Sequence, residues 1–238
     1  MFNKTILTFD IDWAPDFVIN YIADTLEKKS VRSTWFITHH SKAIERLKQK
    51  KELYEVGIHP NFSERSTHGN SIEEVINTMI NIVPDAAVSR NHSTMQSGQI
   101  LSDLVRLTSI RIDSSIFLPE MPNIIPVIHL TPNGKLIRVP FFWADDYELL
   151  KDSSDWSFNT YKLIPGLKLF LFHPIHIYLN SRSLKEYSEF KSKYPDISNI
   201  HKYTLDNHVY EGKGVCSMFD DIISFLSNNG SSFITENV

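Results

Sequence analysis

The stretch Ile6-Leu7-Thr8-Phe9-Asp10-Ile11-Asp12-Trp13 constrains the fold more than any other part of the chain. Consecutive apolar residues, bounded by Lys4 and by the turn-forming Ala14-Pro15-Asp16, suit a strand buried on both faces of a parallel sheet. The run ends in two carboxylates. With the backbone extended past Phe9, alternation sends Asp10 and Asp12 to the same side. Ligand sites of α/β folds lie at the carboxyl ends of strands, where this pair falls. Two like charges so close raise each other's proton affinity unless a cation sits beside them, so the pair points to a metal ion. The simpler use of Asp12, as a cap for a helix starting near Pro15, leaves Asp10 without a role.

Downstream, strand and helix patterns alternate. Helical spacing runs over 16–29, Val31 to Ile37 reads as a strand, Ser41 to Lys51 as a basic amphipathic helix and Tyr54 to Ile58 as a short strand. Ser71 with Glu74 forms a capping box for a helix over 72–83. Ala86 to Ser89 is a weak strand, Ser97 to Thr108 a helix and Ser109 to Ile112 a strand. Val127 to Thr131 and Lys135 to Val139 flank Pro132-Asn133-Gly134 as an inserted hairpin. Leu167 to Phe172 is the strongest late strand, Met218 to Ser227 an amphipathic helix, and Ser232 to Ile234 a last strand. About seven βα-like units predict an irregular (β/α) barrel of parallel strands, a length of 238 residues being ordinary for one such domain over 1–238.

Composition narrows the function classes. A net charge of −4 gives no general attraction to nucleic acid or anionic membrane. The single Cys216 excludes an intramolecular disulfide and a thiolate metal cluster. No apolar run is long enough to span a bilayer, and a strand beginning so near Met1 leaves no room for a signal peptide, which predicts a cytoplasmic protein. Oligomeric state is not encoded in any of these features.

Several predicted strands stop at residues with metal or proton chemistry: His59-Pro60-Asn61 after Ile58, Arg90-Asn91-His92 after Ser89, Asp113 after Ile112, and His173-Pro174-Ile175-His176 after Phe172. In a parallel barrel these ends share one rim with Asp10 and Asp12. Isolated His39, His40, His129, His201 and His208 read as ordinary surface or hydrogen-bonded histidines. His59, His92 and His173 follow apolar runs directly, and mixed His and Asp ligands suit zinc and similar ions.

Together these stretches resemble the polysaccharide deacetylases of the NodB-homology type, carbohydrate esterase family 4 and its relatives. Thr8-Phe9-Asp10-Ile11-Asp12 is similar to the opening motif of that family, and Gly57-Ile58-His59-Pro60-Asn61-Phe62 with His173-Pro174-Ile175-His176 resembles its WbmS-like branch. The resemblance spans Thr8 to about Asn180. It implies Asp10 as catalytic base, Arg90 as the residue that orients it, His173 as general acid, and Asp12 and His59 as metal ligands.

The family's second histidine falls at Ser63, so the third ligand is either His92, favoured because it follows a strand end, or His68 in its polar loop, or else an extra water completes a weaker site. The implied ion is divalent, zinc first, with cobalt, nickel and manganese as alternatives. The implied substrate is a carbohydrate, from which an N-acetyl or other N-acyl group is hydrolysed in surface-polysaccharide metabolism. Trp13, Asn61, Trp143 and His176 are the expected substrate contacts, with Phe62, Phe141 and Phe142 as further candidate platforms. Two rivals compete: a haloacid-dehalogenase-type phosphatase with Asp10 as nucleophile and a later acidic pair (Asp145-Asp146 or Asp220-Asp221), and a non-catalytic carbohydrate-binding protein, motivated by Ser63.

Overall fold

A computed structural model of the chain describes residues 3–238. In chain order its elements are β1 (Asn3–Asp10), α1 (Asp16–Lys29), β2 (Ser33–Ile37), α2 (Lys42–Gln49), β3 (Tyr54–Ile58), α3 (Ile72–Ile82), β4 (Val88–Ser89), α4 (Gly98–Leu107) and β5 (Ile112–Asp113). There follow β6 (Val127–Thr131), β7 (Gly134–Arg138), β8 (Trp143–Ala144), α5 (Asp145–Glu148), β9 (Gly166–Phe172), α6 (Pro174–Leu179), α7 (Leu184–Lys193), α8 (Lys202–Asp206) and α9 (Val215–Asn229). The strands form a nine-stranded sheet in the order β6-β7-β5-β4-β3-β2-β1-β9-β8, parallel except for the β6–β7 hairpin.

The sheet curls until it nearly meets itself. β7 pairs in parallel with β5, the chain beyond it bridges Phe141 to Phe117, and β8 then pairs with β9 through Trp143↔Phe170 and Ala144↔Leu171. One bent segment, 134–144, therefore joins β5 to β9, and the ring has seven positions: β1 to β5, β7 with β8, and β9. This is the irregular barrel that the alternating patterns predict. The hairpin is present as expected, but its second strand belongs to the ring and only β6 lies outside it.

β1 is central because its neighbours bury it on both faces, with residues 6–10 all buried and Phe9 stacked on Trp35 at 4.2 Å between centroids. Truncating such a buried aromatic costs about 3–5 kcal/mol. Gly57 sets how closely β3 approaches β4: a Cβ there would lie 2.5 Å from Val88 Cγ2 and 2.6 Å from the Val88 carbonyl oxygen. Glycine thus permits the Ile58↔Ser89 register that leaves His59 and Arg90 side by side.

Two expectations need correction. Ser232 to Ile234 is not a strand. The Ile234 N–H donates to Thr34 Oγ1 and Glu55 Oε2, so this segment plugs the amino-terminal mouth of the barrel using side-chain acceptors instead of a ladder. β1 ends at Asp10 and does not continue extended to Asp12. Asp12 and Trp13 have φ of 40° and 57°, and Ala14 N–H closes onto the Ile11 carbonyl oxygen at 2.7 Å, the signature of a tight turn of primed type. Helix α7, which no sequence pattern announced, buries only Phe190 of its ten residues. Among the described residues, no helix is long and apolar enough to cross a membrane.

Candidate active site

The carboxyl ends of β1, β3, β4 and β9 bring five predicted residues to one mouth. The Asp12 Oδ1 atom lies 3.2 Å from His59 Nε2 and 3.2 Å from His92 Nδ1, and those two nitrogens are 3.4 Å apart. His173 Nε2 is 3.5 Å from Asp12 Oδ2, and Asp10 Oδ2 is 3.7 Å from His59 Nε2. The two aspartates converge because the tight turn swings Asp12 back over the strand end, not because an extended strand alternates. α1 begins at Asp16 with Pro15 before it and no side-chain cap, so Asp12 is free of the capping role.

Among the described residues, Asp12, His59 and His92 form one of two groups able to offer three ligand atoms within 4.8 Å. Three ligands about 2.0–2.1 Å from one tetrahedral ion stand about 3.3 Å from each other, and the observed spacings match. The donors are also prepared electronically. Burial alone would raise the Asp12 carboxyl, but hydrogen bonds from His59 and His92 and the charge of His173 hold it well below the usual carboxylate range. His59 Nδ1 meets the Arg90 carbonyl oxygen at 2.6 Å, which leaves Nε2 to face Asp12. Trp13 packs edge-on against His92 at 5.4 Å and so fixes that ring from the other side.

His68, the reserve ligand, is excluded by its partners. Its Nδ1 accepts from the Asn61 N–H at 3.0 Å and its Nε2 donates to the Thr38 carbonyl oxygen at 2.8 Å. Ser63, at the place of the family's second histidine, turns its hydroxyl to Asn61 Oδ1 at 2.7 Å.

Behind the mouth, Arg90 is fully buried over Phe36 and donates from Nη1 to Asp10 Oδ1 at 2.9 Å and to Thr8 Oγ1 at 3.0 Å. Its Nε and Nη2 are spent on the Ser114 carbonyl and hydroxyl oxygens. Asp10 Oδ2 is left facing the cavity. On the opposite wall, His173 Nδ1 meets Asp145 Oδ1 at 2.6 Å while the His173 N–H donates to Asp145 Oδ2 at 2.7 Å. Burial pushes the Asp145 carboxyl up to about 6 against the pull of His173. The imidazole of His173 would be lowered by burial, yet the charge and hydrogen bond of Asp145, with Asp12 beyond, raise it well above its ordinary value.

Asp145 as a partner of His173 escaped the sequence reading, in which Asp145-Asp146 figured only as an acidic pair for the phosphatase rival. Its signal was a carboxylate directly after the short Trp143-Ala144 strand, hidden by the brevity of that strand. Asp113, grouped with the rim residues, is turned away and bonded to Ser115 and Arg138. Asp220 and Asp221 lie on α9, and Asp221 accepts from Ser157.

The expected substrate contacts divide. Trp13 and Asn61 line the cleft, although the Asn61 side chain also closes its own turn by accepting from the Ser63 N–H. His176 reaches the cleft wall only as a buried ring 4.3 Å from Tyr187, and burial beside His173 lowers its pKa well below the usual value. Trp143 is a core residue instead. It is buried, donates from Nε1 to Glu148 Oε2 at 3.0 Å and packs 4.9 Å from Phe172. Phe142 is core as well, for the same reason of facing outward from the barrel into the helical layer, whereas Phe141 borders the cleft.

The cleft has two arms meeting at Asp12, His92, Asp146 and His173. One, of about 400 Å³, runs past Asp10 and His59 to Phe117, Phe141 and Leu171. The other, of about 520 Å³, runs past Trp13, Asn61, Arg65, Thr67 and Ser198.

Residues 7–191 match the family model described as WbmS-like polysaccharide deacetylase. The chain belongs to that family. Membership sets aside the phosphatase reading of Asp10. A search of curated proteins finds no match. Among solved structures the chain is similar to WbmS of Bordetella bronchiseptica, described as a polysaccharide deacetylase involved in O-antigen biosynthesis, at 29% identity over 94% of this chain and 90% of that one, with a TM-score of 0.81. More distant are the peptidoglycan deacetylase PdaC of Bacillus subtilis, at 14% identity, 98% and 89% coverage and TM-score 0.47, and a family 4 acetyl xylan esterase of Clostridium thermocellum in complex with cobalt, at 16%, 98% and 88%, and 0.48.

Proposed function

We propose that this WbmS-like family member is a metal-dependent amide hydrolase that removes an N-acyl group, acetyl being the smallest, from an amino sugar of a surface polysaccharide or its precursor. The observation that carries this reading is the meeting of Asp10, Asp12, His59, His92 and His173 at one mouth, with Arg90 behind Asp10 and Asp145 behind His173. The O-antigen role described for the B. bronchiseptica relative supports the surface-polysaccharide part.

Asp12, His59 and His92 would hold the divalent ion, with zinc favoured by the tetrahedral spacing of one carboxylate and two imidazoles, and cobalt, nickel or manganese as alternatives. Such an ion lowers the pKa of a water to about 7 and polarises an amide carbonyl. Asp10 takes the proton of the attacking water through Oδ2, since Arg90 occupies Oδ1. His173 gives a proton from Nε2 to the departing amine, its ring fixed by the Asp145 bond at Nδ1. The C–N bond breaks as water supplies the acid's hydroxyl, so the products are a carboxylate and a free amino sugar.

The test joins elemental analysis to amine release from an N-acylated glucosamine series. Asp12→Ala and His59→Ala should each lose metal and activity while staying folded, and His68→Ala should keep its metal. Full metal occupancy in both ligand variants, or no hydrolysis of any N-acyl sugar by metal-loaded protein, overturns the reading and returns the non-catalytic carbohydrate-binding alternative.

A further inference from the structure

The hairpin beside the ring leaves one edge of the sheet open. β6 pairs only with β7, antiparallel, from Val127↔Arg138 to Thr131↔Gly134. The Ile137 N–H on β7 donates to the Arg111 carbonyl oxygen beside β5, so Ile137 turns its backbone away from β6. Its cross-strand partner Ile128, and Leu130 two residues on, therefore point their N–H and C=O groups outward. Among the described residues, no hydrogen bond reaches those groups.

The side chains along this edge are as bare as its backbone. Ile128 is 68% and Leu130 72% exposed, and Met121, Ile125 and Val127 are exposed beside them. Single apolar residues on a surface are ordinary, but five within ten residues form a patch. Exposed edges are usually guarded by charge, Lys above all. No Asp, Glu, Lys or Arg occurs from 121 to 134. Of the hairpin's two cations, Arg138 is bonded to Asp113, and Lys135 stands opposite Leu130 on the inner strand.

The strand itself says what fits such an edge. Pro126-Val127-Ile128-His129-Leu130-Thr131-Pro132 is nearly symmetric about His129, with proline at each end, the similarly shaped Val127 and Thr131 inside them, and Ile128 matched by Leu130. An antiparallel copy related by a twofold axis at His129 sets Ile128 opposite Leu130 of the second copy, and Leu130 opposite its Ile128, as pairs that exchange both N–H···O bonds. Those bonds use every outward donor, because Pro126 and Pro132, next in the outward row, have no N–H. No charge on the strand meets its like across the axis. A strand of another protein would call for none of this symmetry.

We propose that β6 is the interface of a twofold homodimer, in which the free edge pairs with the same edge of a second copy and continues the sheet between them.

Sedimentation equilibrium of the full chain over a wide dilution series should show monomer and dimer only. Ile128→Lys and Leu130→Lys bring like charges together near the axis and remove apolar burial, so each should weaken the dimer by roughly tenfold or more. Circular dichroism should stay unchanged, because both side chains are exposed. Leu163→Lys, at a residue 82% exposed in the turn before β9, should leave the dimer intact. Register is read by oxidative cross-linking in a Cys216→Ser background. His129→Cys should bridge the copies, since position 129 faces itself in a non-hydrogen-bonded pair with about 4.5 Å between Cα atoms, within disulfide reach. Ile128→Cys should not, since the two copies of position 128 are diagonal neighbours about 7–8 Å apart. A chain that stays monomeric at every concentration, growth past the dimer, a dimer untouched by both lysine variants, or bridging through Ile128→Cys in preference to His129→Cys overturns the proposal.

Discussion

Two buried aspartate–arginine pairs sit at strand ends on different sides of the barrel, and only one belongs to the mouth. Asp10 closes β1 and meets Arg90 at 2.9 Å, while Asp113 closes β5 and meets Arg138 at 2.6 Å. Both carboxylates are buried. Asp113 has its oxygens spent on the Ser115 N–H, the Ser115 hydroxyl and Arg138 Nε, and Arg138 is in turn held by Gln96. Asp10 shares only Oδ1 with Arg90 and keeps Oδ2 toward His59 and the cavity. A strand-end carboxylate is therefore available for chemistry only when its neighbours leave one oxygen unclaimed, and that depends on what lies across the sheet.

The largest expected effect separates the pairs by activity. Asp10→Asn should lower turnover about 10²–10⁴-fold, the usual contribution of a general base, whereas Asp113→Asn should leave turnover per folded molecule near wild type. Equal losses in the two variants would erase the distinction between a site pair and a scaffold pair. Stability comes next. Arg138→Ala leaves Asp113 buried without its partner, which costs about 3–5 kcal/mol, and denaturant titration should show the midpoint falling accordingly. A loss under about 1 kcal/mol would mean that Ser115 alone satisfies Asp113.

Asp145 sharpens the comparison because it is as buried as Asp113 yet reaches the mouth through His173. In the proposed mechanism His173 is protonated to release the amine, and its raised pKa keeps it so to higher pH. Asp145→Asn removes that support, so the alkaline limb of the kcat/KM profile should move to lower pH by roughly 1–3 units. An unmoved limb would detach Asp145 from the proton donor.

The smallest effect is expected where the ions meet water. Glu27 binds Arg46 at 2.8 Å and Lys50 at 2.5 Å with its side chain 21% exposed. Burial works against its ionisation, but the bonds from Lys50 and Arg46 hold its pKa below the usual value. Its contribution is present above the unfolded value of about 4.3 and is lost as pH falls through the lower folded value. Glu27→Gln should thus cost about 0.2–1 kcal/mol at pH 7, with the difference from wild type closing in thermal melts below about pH 4.

Read from the residues alone, the chain was legible wherever a pattern is local. The buried run of β1, the alternation of strands and helices, the Ser71 cap and the hairpin around Asn133-Gly134 all follow from nearest-neighbour chemistry, and Ser71 does accept from the Glu74 N–H as the spacing implies. Asp10, Asp12, His59, His92 and His173 stood out because they lie at or just beyond predicted strand ends, and Arg90 with the roles of all six came from the family resemblance. The segment 184–206 stayed dark since α7 buries only Phe190 and α8 only Leu205, too few to show a period, and Trp143 misled because an aromatic after a strand reads alike whether it faces core or cleft.

Tertiary structure alone decided the rest. Nothing in the sequence reading says that Arg138 chooses Asp113, that His68 is consumed by Asn61 and Thr38, or that Asp145 stands behind His173. Those outcomes depend on register across a curled sheet, fixed by Gly57 against Val88 and by the bent segment that joins β5 to β9. Sequence determined which side chains arrive at strand ends, because that is a matter of periodicity. Which of their polar atoms remain free is set by partners distant in the chain, and only the fold brings those partners within hydrogen-bond reach.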